Sequence, residues 1–278
     1  MKVAEEMLTR RKFLANAGSI AAGLAIGSSL LVAGCSQATQ TKEETPKEKM
    51  PKEEMSGKAG GMNHELPWPY EKLDPDEVAE LAYQNWYKGF CGYAVASSII
   101  MPLQKKIGAP YTSIPLDALI YFHGGVVGWG TMCGTMTGAA FAASLIGGPG
   151  VGKTGEQIAN EVIHYYTETE LPIYNPKNPK LTTTPVKSKS DSPLCHVSVG
   201  RWMKKADLGF KSPERKDRCA RLSADIAVQT VKLLNEMADG KFKAGHELPP
   251  AVYSITAQGN CSMCHTTGVP TVNTKGNQ

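Results

Sequence analysis

The sequence lacks the patterns that mark several large classes of protein. It has no alternation of apolar and polar residues, which argues against a β-sandwich or β-barrel, and it has no internal repeat. Its net charge of +4 is spread over 278 residues without a basic cluster, so we expect no nucleic-acid partner. Beyond residue 33 no apolar run approaches the roughly 20 residues that a membrane-spanning helix needs.

The N-terminus has the pattern of an export signal. Thr9-Arg10-Arg11-Lys12-Phe13-Leu14 is a twin-arginine sequence, and the apolar residues 15–33 follow it. The stretch ends in Val32-Ala33-Gly34-Cys35, which resembles a lipobox, so we expect residues 1–34 to be a signal peptide and Cys35 to carry lipid. A retained membrane anchor is the alternative. Because two or more acyl chains anchor stably, we expect a protein held on a membrane surface on the periplasmic or cell-surface side.

The rest of the chain divides by composition into three parts. Residues 35–66 combine Lys and Glu with Pro and Gly and have almost nothing to bury, which is typical of a flexible tether. Residues 67–244 are expected to form an all-α bundle, and residues 245–278 an irregular tail that binds haem c.

Helix signals recur along the bundle segment. Asp74-Pro75 offers an N-cap and a first-turn proline, and Thr154-Gly155-Glu156-Gln157 reads as a capping box. Ser212-Pro213 starts a long apolar stripe that Gly240 ends. The helices with the clearest signals are predicted at residues 75–102, 115–122, 131–146, 154–171 and 213–239.

A phosphate-loop pattern, Gly147-Gly148-Pro149-Gly150-Val151-Gly152-Lys153-Thr154, precedes one of these helices. The nucleotide-binding form of this loop follows a β-strand, whereas a small-residue helix is predicted here. Thr154 is needed as an N-cap, and no apolar run ending in Asp resembles a Walker B strand. We therefore expect a Gly-rich turn between two helices and no bound nucleotide.

Cys261-Ser262-Met263-Cys264-His265 has the C-x-x-C-H order of a c-type haem attachment site. The pattern predicts thioether bonds at Cys261 and Cys264, with His265 as the proximal ligand of the haem iron. A redox dithiol with an incidental histidine is the alternative. A thioredoxin-type dithiol belongs to a βαβ unit, however, and this motif lies in an irregular tail.

The second axial ligand of the haem has several candidates. His246 ranks first, because it lies in the same tail with the Pro249-Pro250 turn between it and the motif. His123 and His196 are also available, and Met263 is disfavoured because it lies inside the attachment loop. A second histidine would give a low-spin haem at a lower potential than a methionine would.

Four cysteines remain after lipid and haem are assigned: Cys91, Cys133, Cys195 and Cys219. Each lies in a different predicted helix or at its start, so only tertiary folding could bring them together. They could be iron-sulfur ligands, two disulfides, or inert buried thiols. The export signal favours a cluster, because c-type haem is attached after translocation, whereas a cluster inserted in the cytoplasm needs a folded export route.

These cysteine segments resemble a known family. The segments are Gly89-Phe90-Cys91, Gly128 to Ala139, Cys195, and Cys219-Ala220-Arg221-Leu222. They resemble the four-cysteine redox family named for a C, CGAxxG, C, C pattern, with Thr135 at the alanine position. With the haem tail, the chain from about Leu66 resembles the split-Soret cytochrome c family. That resemblance implies a helical homodimer with closely stacked haems and a cysteine-bound iron-sulfur cluster, which we take to be [2Fe-2S]. This chain has a single C-x-x-C-H motif, so if members of that family carry two haems per chain, we do not expect the same number here.

Together these features predict an exported electron-transfer protein that passes single electrons to redox partner proteins. The alternative is a reductase or a dithiol oxidoreductase that uses the haem or the four cysteines. We find no pattern of a nucleophile, a base and a group that orients the base, which favours an electron carrier over an enzyme.

Overall fold

The structure is a computed structural model, and it describes residues 65–253 together with residues 256 and 257. This part of the chain is helical, and its only β-pairing is two isolated bridges, which confirms the all-α prediction. The α-helices are α1 (Pro75–Lys106), α2 (Gly134–Gly147), α3 (Thr154–Glu168), α4 (Cys195–Ala206), α5 (Pro213–Ala238) and α6 (Pro249–Tyr253). Two 3₁₀ helices span Tyr111–Ser113 and Leu116–Tyr121. The haem-binding part of the tail lies outside the described residues.

Helix α1 begins where its capping signal predicts. The Asp74 carboxylate accepts a hydrogen bond from the N–H of Asp76 at 2.8 Å, and Pro75 occupies the first turn. The helix continues past Pro102 to Lys106, which corrects the predicted end. Leu103 is completely buried, and burying a leucine contributes about 1.5 to 3 kcal/mol, which offsets the backbone hydrogen bond lost at the proline.

Helix α5 packs along α1 in the most extensive helix pair of the described chain. It begins at the predicted N-cap, where Ser212 accepts a hydrogen bond from the N–H of Arg215 at 3.2 Å. Its apolar stripe faces inward, with Leu222 and Ile226 fully enclosed. No helix in the described part of the chain is both long and apolar enough to span a membrane.

Helix α2 fits tightly between its neighbours because of its glycines. A Cβ on Gly138 would lie 2.5 Å from the carbonyl oxygen of Gly92, so a larger residue would push α2 away from α1. The turn predicted between Gly147 and Thr154 is confirmed, since α2 ends and α3 begins there. The capping box is wrong in detail: Lys153 is the N-cap, and Glu156 instead accepts a hydrogen bond from the N–H of Gly152 at 2.6 Å.

Candidate metal centre

Two of the four cysteines lie at the starts of neighbouring helices. Cys133 is the N-cap of α2, and Cys195 is the first residue of α4. The N–H of Cys133 donates to the Pro193 carbonyl at 2.9 Å, and the N–H of Cys195 donates to the Thr131 carbonyl at 2.7 Å. These reciprocal backbone bonds hold the two helix starts side by side, although a long segment of chain separates them.

Cys91 lies directly after a break in α1. Gly89 has φ −142° and ψ 16°, and Phe90 has φ 61° and ψ −161°, a combination that residues with a side chain rarely adopt. After the break, the N–H of Gly92 donates to the carbonyl of Phe122 at 3.1 Å. The break makes Cys91 the first residue of a new helical segment, and its side chain is buried.

Cys219 lies on the buried stripe of α5, and the four cysteines meet in one place, which we call the four-cysteine pocket. The thiols of Cys195 and Cys91 lie close enough to Cys133 to lower its pKa. Cys219 is close enough for its charge to raise the pKa of both Cys91 and Cys195. All four are free cysteines; three are buried and Cys195 is half-buried. The structure therefore brings together all four predicted ligands and pairs none of them in a disulfide.

The start of a helix favours negative charge, and three of these cysteines occupy such a position. N–H groups of a first turn lack intrahelical partners, and their partial positive charge stabilises a thiolate. Hydrogen bonds from Cys195 and then from Cys91 hold the pKa of Cys133 well below its ordinary value. The same hydrogen bonds raise the pKa of Cys91 and Cys195, because their protons are shared with Cys133. The pocket thus favours a thiolate at Cys133.

Further polar groups contact two of the sulfurs. The Trp86 indole Nε1–H donates to Cys91 Sγ at 3.3 Å. The Thr135 hydroxyl lies 3.3 Å from Cys133 Sγ. Hydrogen bonds of this kind to sulfur ligands tune the potential of a metal centre.

An arginine lies beside the fourth sulfur. Arg218 is 2% exposed, its Nη1 lies 3.8 Å from Cys219 Sγ, and its Nη2 donates to Ser198 Oγ at 2.8 Å. Its Nε has no hydrogen-bond partner among the described residues. Burial lowers the pKa of Arg218, but the charge of Cys219 and then that of Tyr166 more than offset this, so its pKa is raised. Burial and then the charge of Cys133 raise the pKa of Tyr166, whose enclosed hydroxyl also lacks a hydrogen-bond partner in this region.

A second group of ligand-type side chains lies where α3 meets the segment before α6. The rings of His164 and His246 stack with centroids 3.9 Å apart and planes at 8°. Glu161 Oε2 lies 2.8 Å from His246 Nδ1, and Glu168 Oε1 lies 3.2 Å from His164 Nδ1. Because a carboxylate engages Nδ1 of each ring, Nε2 is the nitrogen left to bind a metal. Ligand atoms of His164, Glu168 and His246 lie within 4.8 Å of one another.

These histidines line a cavity of about 560 Å³, which we call the histidine cleft. Its apolar wall includes Ala159, Ile163, Leu248, Pro249 and Val252. Met132 and Pro193 also line it, and they precede Cys133 by one residue and Cys195 by two. The histidine cleft and the four-cysteine pocket therefore share a wall.

The remaining predicted residues are distributed as follows. His246 lines the histidine cleft, whereas His123 packs against the Phe90 ring with centroids 5.5 Å apart. His196 is exposed at the start of α4. The lipid, haem and Met263 predictions concern residues outside the described ones: Cys35, Cys261, Met263, Cys264 and His265.

Sequence reasoning missed two residues that the structure places at these sites. His164 was overlooked although Glu161, His164 and Glu168 follow the spacings of three and four that put side chains on one face of a helix. Arg218 was overlooked because nothing in the sequence around Cys219 shows that this arginine forms no ion pair with a carboxylate. Only the folded structure shows which groups surround it.

Comparison with known proteins relates the chain to one family. Residues 93–233, half of the chain, match the profile described as "Putative redox-active protein (C_GCAxxG_C_C)". The match includes Cys133, Cys195 and Cys219 and begins just after Cys91. The printed order is GCAxxG, so the expected order CGAxxG was wrong. Met132 and Gly134 flank Cys133 where the motif has glycine and alanine, and Thr135 does not stand at the alanine position.

One curated relative is similar over most of the chain. Split-Soret cytochrome c of Desulfovibrio desulfuricans is 36% identical over 254 residues, which cover 88% of this chain and 84% of that protein. A solved structure, described as a novel iron centre in the split-Soret cytochrome c from the same organism, matches with a TM-score of 0.62 at 36% identity and covers 74% of this chain and 85% of that one. The chain therefore belongs to this four-cysteine redox family and is a homologue of split-Soret cytochrome c.

Proposed function

We propose that the protein is an exported electron carrier in which a c-type haem and a cysteine-bound iron-sulfur centre exchange single electrons. The observation that carries the proposal is the shared wall between the two sites. Met132 and Pro193 line the histidine cleft, while Cys133 and Cys195, close to them in sequence, contribute to the four-cysteine pocket. Electron transfer between two such one-electron centres requires only that the protein supplies their ligands, buries them and sets the distance between them.

The four-cysteine pocket fits an iron-sulfur centre by the chemistry of its donors. Thiolates are the ligands that such clusters use, and the four free cysteines include Cys133, whose pKa is held well below its ordinary value. A [2Fe-2S] cluster there would supply a one-electron couple. The disulfide alternative is less consistent, because two neutral disulfides would leave the charge of Arg218 buried without an anion.

The histidine cleft fits a haem joined to the tail. Ala257 lines the cleft, and Cys261 follows it by four residues, a reach of at most about 14 Å of extended chain. The lining is largely apolar, as a porphyrin requires, and His246 offers Nε2 as the sixth ligand while Glu161 holds its Nδ1. A haem bound there would supply the second one-electron couple, with His265 as its proximal ligand.

Haem attachment is tested on denatured protein. Two thioether bonds at Cys261 and Cys264 require the haem colour to stay with the chain through denaturing gel electrophoresis and to give a c-type pyridine spectrum. Extraction of the haem into acid acetone would rule out covalent attachment.

The iron-sulfur centre is tested by visible and EPR spectra of protein purified without air, with iron and acid-labile sulfide counted per haem. We expect iron in excess of haem and sulfide in a matching amount. Iron equal to haem without sulfide would contradict the proposal.

A dithiol oxidoreductase is the second candidate, and one observation favours it. Cys133 has a lowered pKa and hydrogen-bonds to a neighbouring thiol, as in a redox-active pair. Its side chain is only 3% exposed, however, which hinders attack on a protein disulfide. Steady reduction of a small disulfide by iron-free protein, lost in Cys133→Ser, would favour this function over the carrier.

We also propose that the mature protein is anchored through lipid on Cys35 after cleavage of residues 1–34. The twin-arginine and lipobox patterns support this. Mass spectrometry of the N-terminal peptide should find a diacylglyceryl group on Cys35, and an unmodified N-terminus elsewhere would contradict it.

A homodimer and redox partner proteins are the expected associations. The family resemblance supports the dimer, and Tyr121 and Trp129, which are 55% and 83% exposed, offer apolar surface. Analytical ultracentrifugation of the haem-loaded protein should give twice the mass of the chain. A monomer at micromolar concentration would contradict the dimer.

A further inference from the structure

We propose that Arg218 is the fixed positive charge of the four-cysteine centre, a positioning residue that stabilises the reduced state of the centre and raises its reduction potential. This inference rests on the proposed iron-sulfur centre and adds the residue that sets its potential.

The argument begins with the burial of Arg218. A guanidinium stays charged in proteins, and a buried charge is strongly destabilising unless an opposite charge accompanies it. Arg218 is 2% exposed, and no carboxylate of the described chain forms an ion pair with it. The cysteines that act on its charge are Cys219, whose Sγ lies 3.8 Å from Nη1, and Cys133. The Asp225 carboxylate also acts on Arg218, but its two oxygens accept hydrogen bonds from the N–H groups of Ile173 and Tyr174 and not from the guanidinium. The contact of the guanidinium with an anion-forming group is therefore with the pocket itself.

Arg221 provides an internal comparison one turn further along α5. It is equally buried, but its Nε donates to Asp217 Oδ2 at 2.6 Å, and its other nitrogens donate to Asn175 and Leu181. Its charge is therefore neutralised by a carboxylate of the same helix. Arg218 has no such ion pair, and the sulfur that its guanidinium contacts is Cys219 Sγ.

The guanidinium is also held in place by the elements that build the pocket. Ser198 accepts the Nη2 hydrogen bond at 2.8 Å, and it lies three residues after Cys195 in α4. Arg218 itself directly precedes Cys219 in α5. The residue therefore links the two helices that carry the third and fourth cysteines, so its charge cannot move away from the centre.

The redox step explains why such a charge matters. A one-electron donor adds one electron to the iron, no iron–sulfur bond breaks, and Arg218 keeps its proton. The centre becomes more negative by one unit. A fixed positive charge at short range stabilises this state more than the oxidised one, and because the site is enclosed, salt screens the effect only weakly.

The test is a dithionite titration of full-length, anaerobically purified protein, followed by EPR. Arg218→Met removes the charge, Arg218→Lys keeps it, and Arg215→Met removes a charge on the same helix that lies over the Phe210 ring outside the pocket. We expect the equilibrium constant for reduction to fall at least tenfold in Arg218→Met, which is 59 mV for a one-electron couple. Arg218→Lys and Arg215→Met should stay near the wild-type potential.

The outcomes separate this inference from the proposed function. A wild-type protein without non-haem iron would overturn both. A wild-type protein with the centre, and Arg218→Met at the same potential, would overturn the role of Arg218 alone. If Arg218→Met folds without iron while Arg218→Lys keeps it, the charge is needed and the inference stands. If both variants lose the centre, Ser198→Ala decides: a lowered potential supports the inference, and an unchanged one overturns it.

Discussion

The four-cysteine pocket and the histidine cleft share a wall but differ in burial and in charge. Three of the four sulfurs are buried, and helix starts and Arg218 surround them with positive potential. The histidine cleft is open to solvent: His246 is exposed, and its neighbours are the carboxylates Glu161 and Glu168.

The difference indicates what each site can hold. An enclosed site with positive surroundings stabilises a compact anionic centre and keeps water away from it. In the open cleft, the carboxylates that bind Nδ1 make the histidines stronger metal ligands. Its openness leaves room for a large cofactor. If the two sites hold iron-sulfur and haem as proposed, each should be removable without the other.

The largest expected effect is the loss of the iron-sulfur centre in Cys133→Ser. Cys133 carries the lowered pKa and contacts both Cys91 and Cys195, so a hydroxyl in its place should remove nearly all non-haem iron and acid-labile sulfide. The pyridine haem spectrum should stay at the wild-type level. Full iron and sulfide in this variant would mean that Cys133 is not a ligand.

The reciprocal variant is Cys264→Ala, which removes one thioether bond. We expect most of the covalent haem to be lost on denaturing gels, while non-haem iron per chain stays unchanged. Parallel loss of both cofactors in both variants would show that the sites do not assemble independently.

Replacing His246 by alanine tests the open site without touching the attachment motif. We expect a shift from low-spin to high-spin haem in the visible and EPR spectra, because the sixth ligand is removed. His123→Ala and His196→Ala are matched controls, since neither residue lines the histidine cleft. A wild-type spectrum of His246→Ala would point to His164 instead.

Acid should loosen the histidine cleft through Glu161. Burial alone would raise the pKa of Glu161, but hydrogen bonds from His246 and Gly245 outweigh it, so the pKa is held below the ordinary 4.5. Its stabilising effect is therefore fully present above pH 4.5 and is lost as the pH falls through the lowered value.

Hydrogen exchange measures this loss at the two amides that donate to Glu161, those of Gly245 and His246. A net hydrogen bond of about 1 kcal/mol corresponds to roughly fivefold faster exchange when it is lost. Glu161→Ala, which removes the accepting oxygen, should show the faster exchange at neutral pH. Equal exchange rates in the variant and the wild-type protein would show that Glu161 does not hold this segment in place.

The smallest expected effect concerns the break in α1. Phe90 has φ 61°, where a Cβ is strained, so Phe90→Gly should be more stable than Phe90→Ala by about 1 kcal/mol, the reverse of the usual order in a helix. Thermal unfolding of the two variants measures this difference. If Phe90→Ala were the more stable variant, the backbone at residue 90 would be able to leave this conformation without a loss of stability.

Much of the fold follows from local sequence signals, whereas the pocket does not. The caps at Asp74 and Ser212 predict the starts of α1 and α5 because a short side chain satisfies N–H groups within the same turn. The break at Gly89 was missed because the apolar pattern continues across it. The capping box at Thr154 was wrong because Glu156 caps the turn from inside the helix.

The meeting of the four cysteines depends on contacts between distant segments. The bonds from Cys133 to Pro193 and from Cys195 to Thr131 leave no periodic trace in the sequence. The family resemblance identified the cysteines as a set, but only the packed helices reveal Arg218 and the shared wall with the histidine cleft.

The arrangement of the four cysteines on α1, α2, α4 and α5 has a mechanical consequence. A centre bound to Cys91 and Cys219 closes a loop of more than a hundred residues, and a covalent cross-link over about 100 residues is worth roughly 4.7 kcal/mol in chain entropy. Iron in the pocket would thus staple four helices as well as carry electrons. Loss of the centre would then make the helices that carry the cysteines more susceptible to proteases.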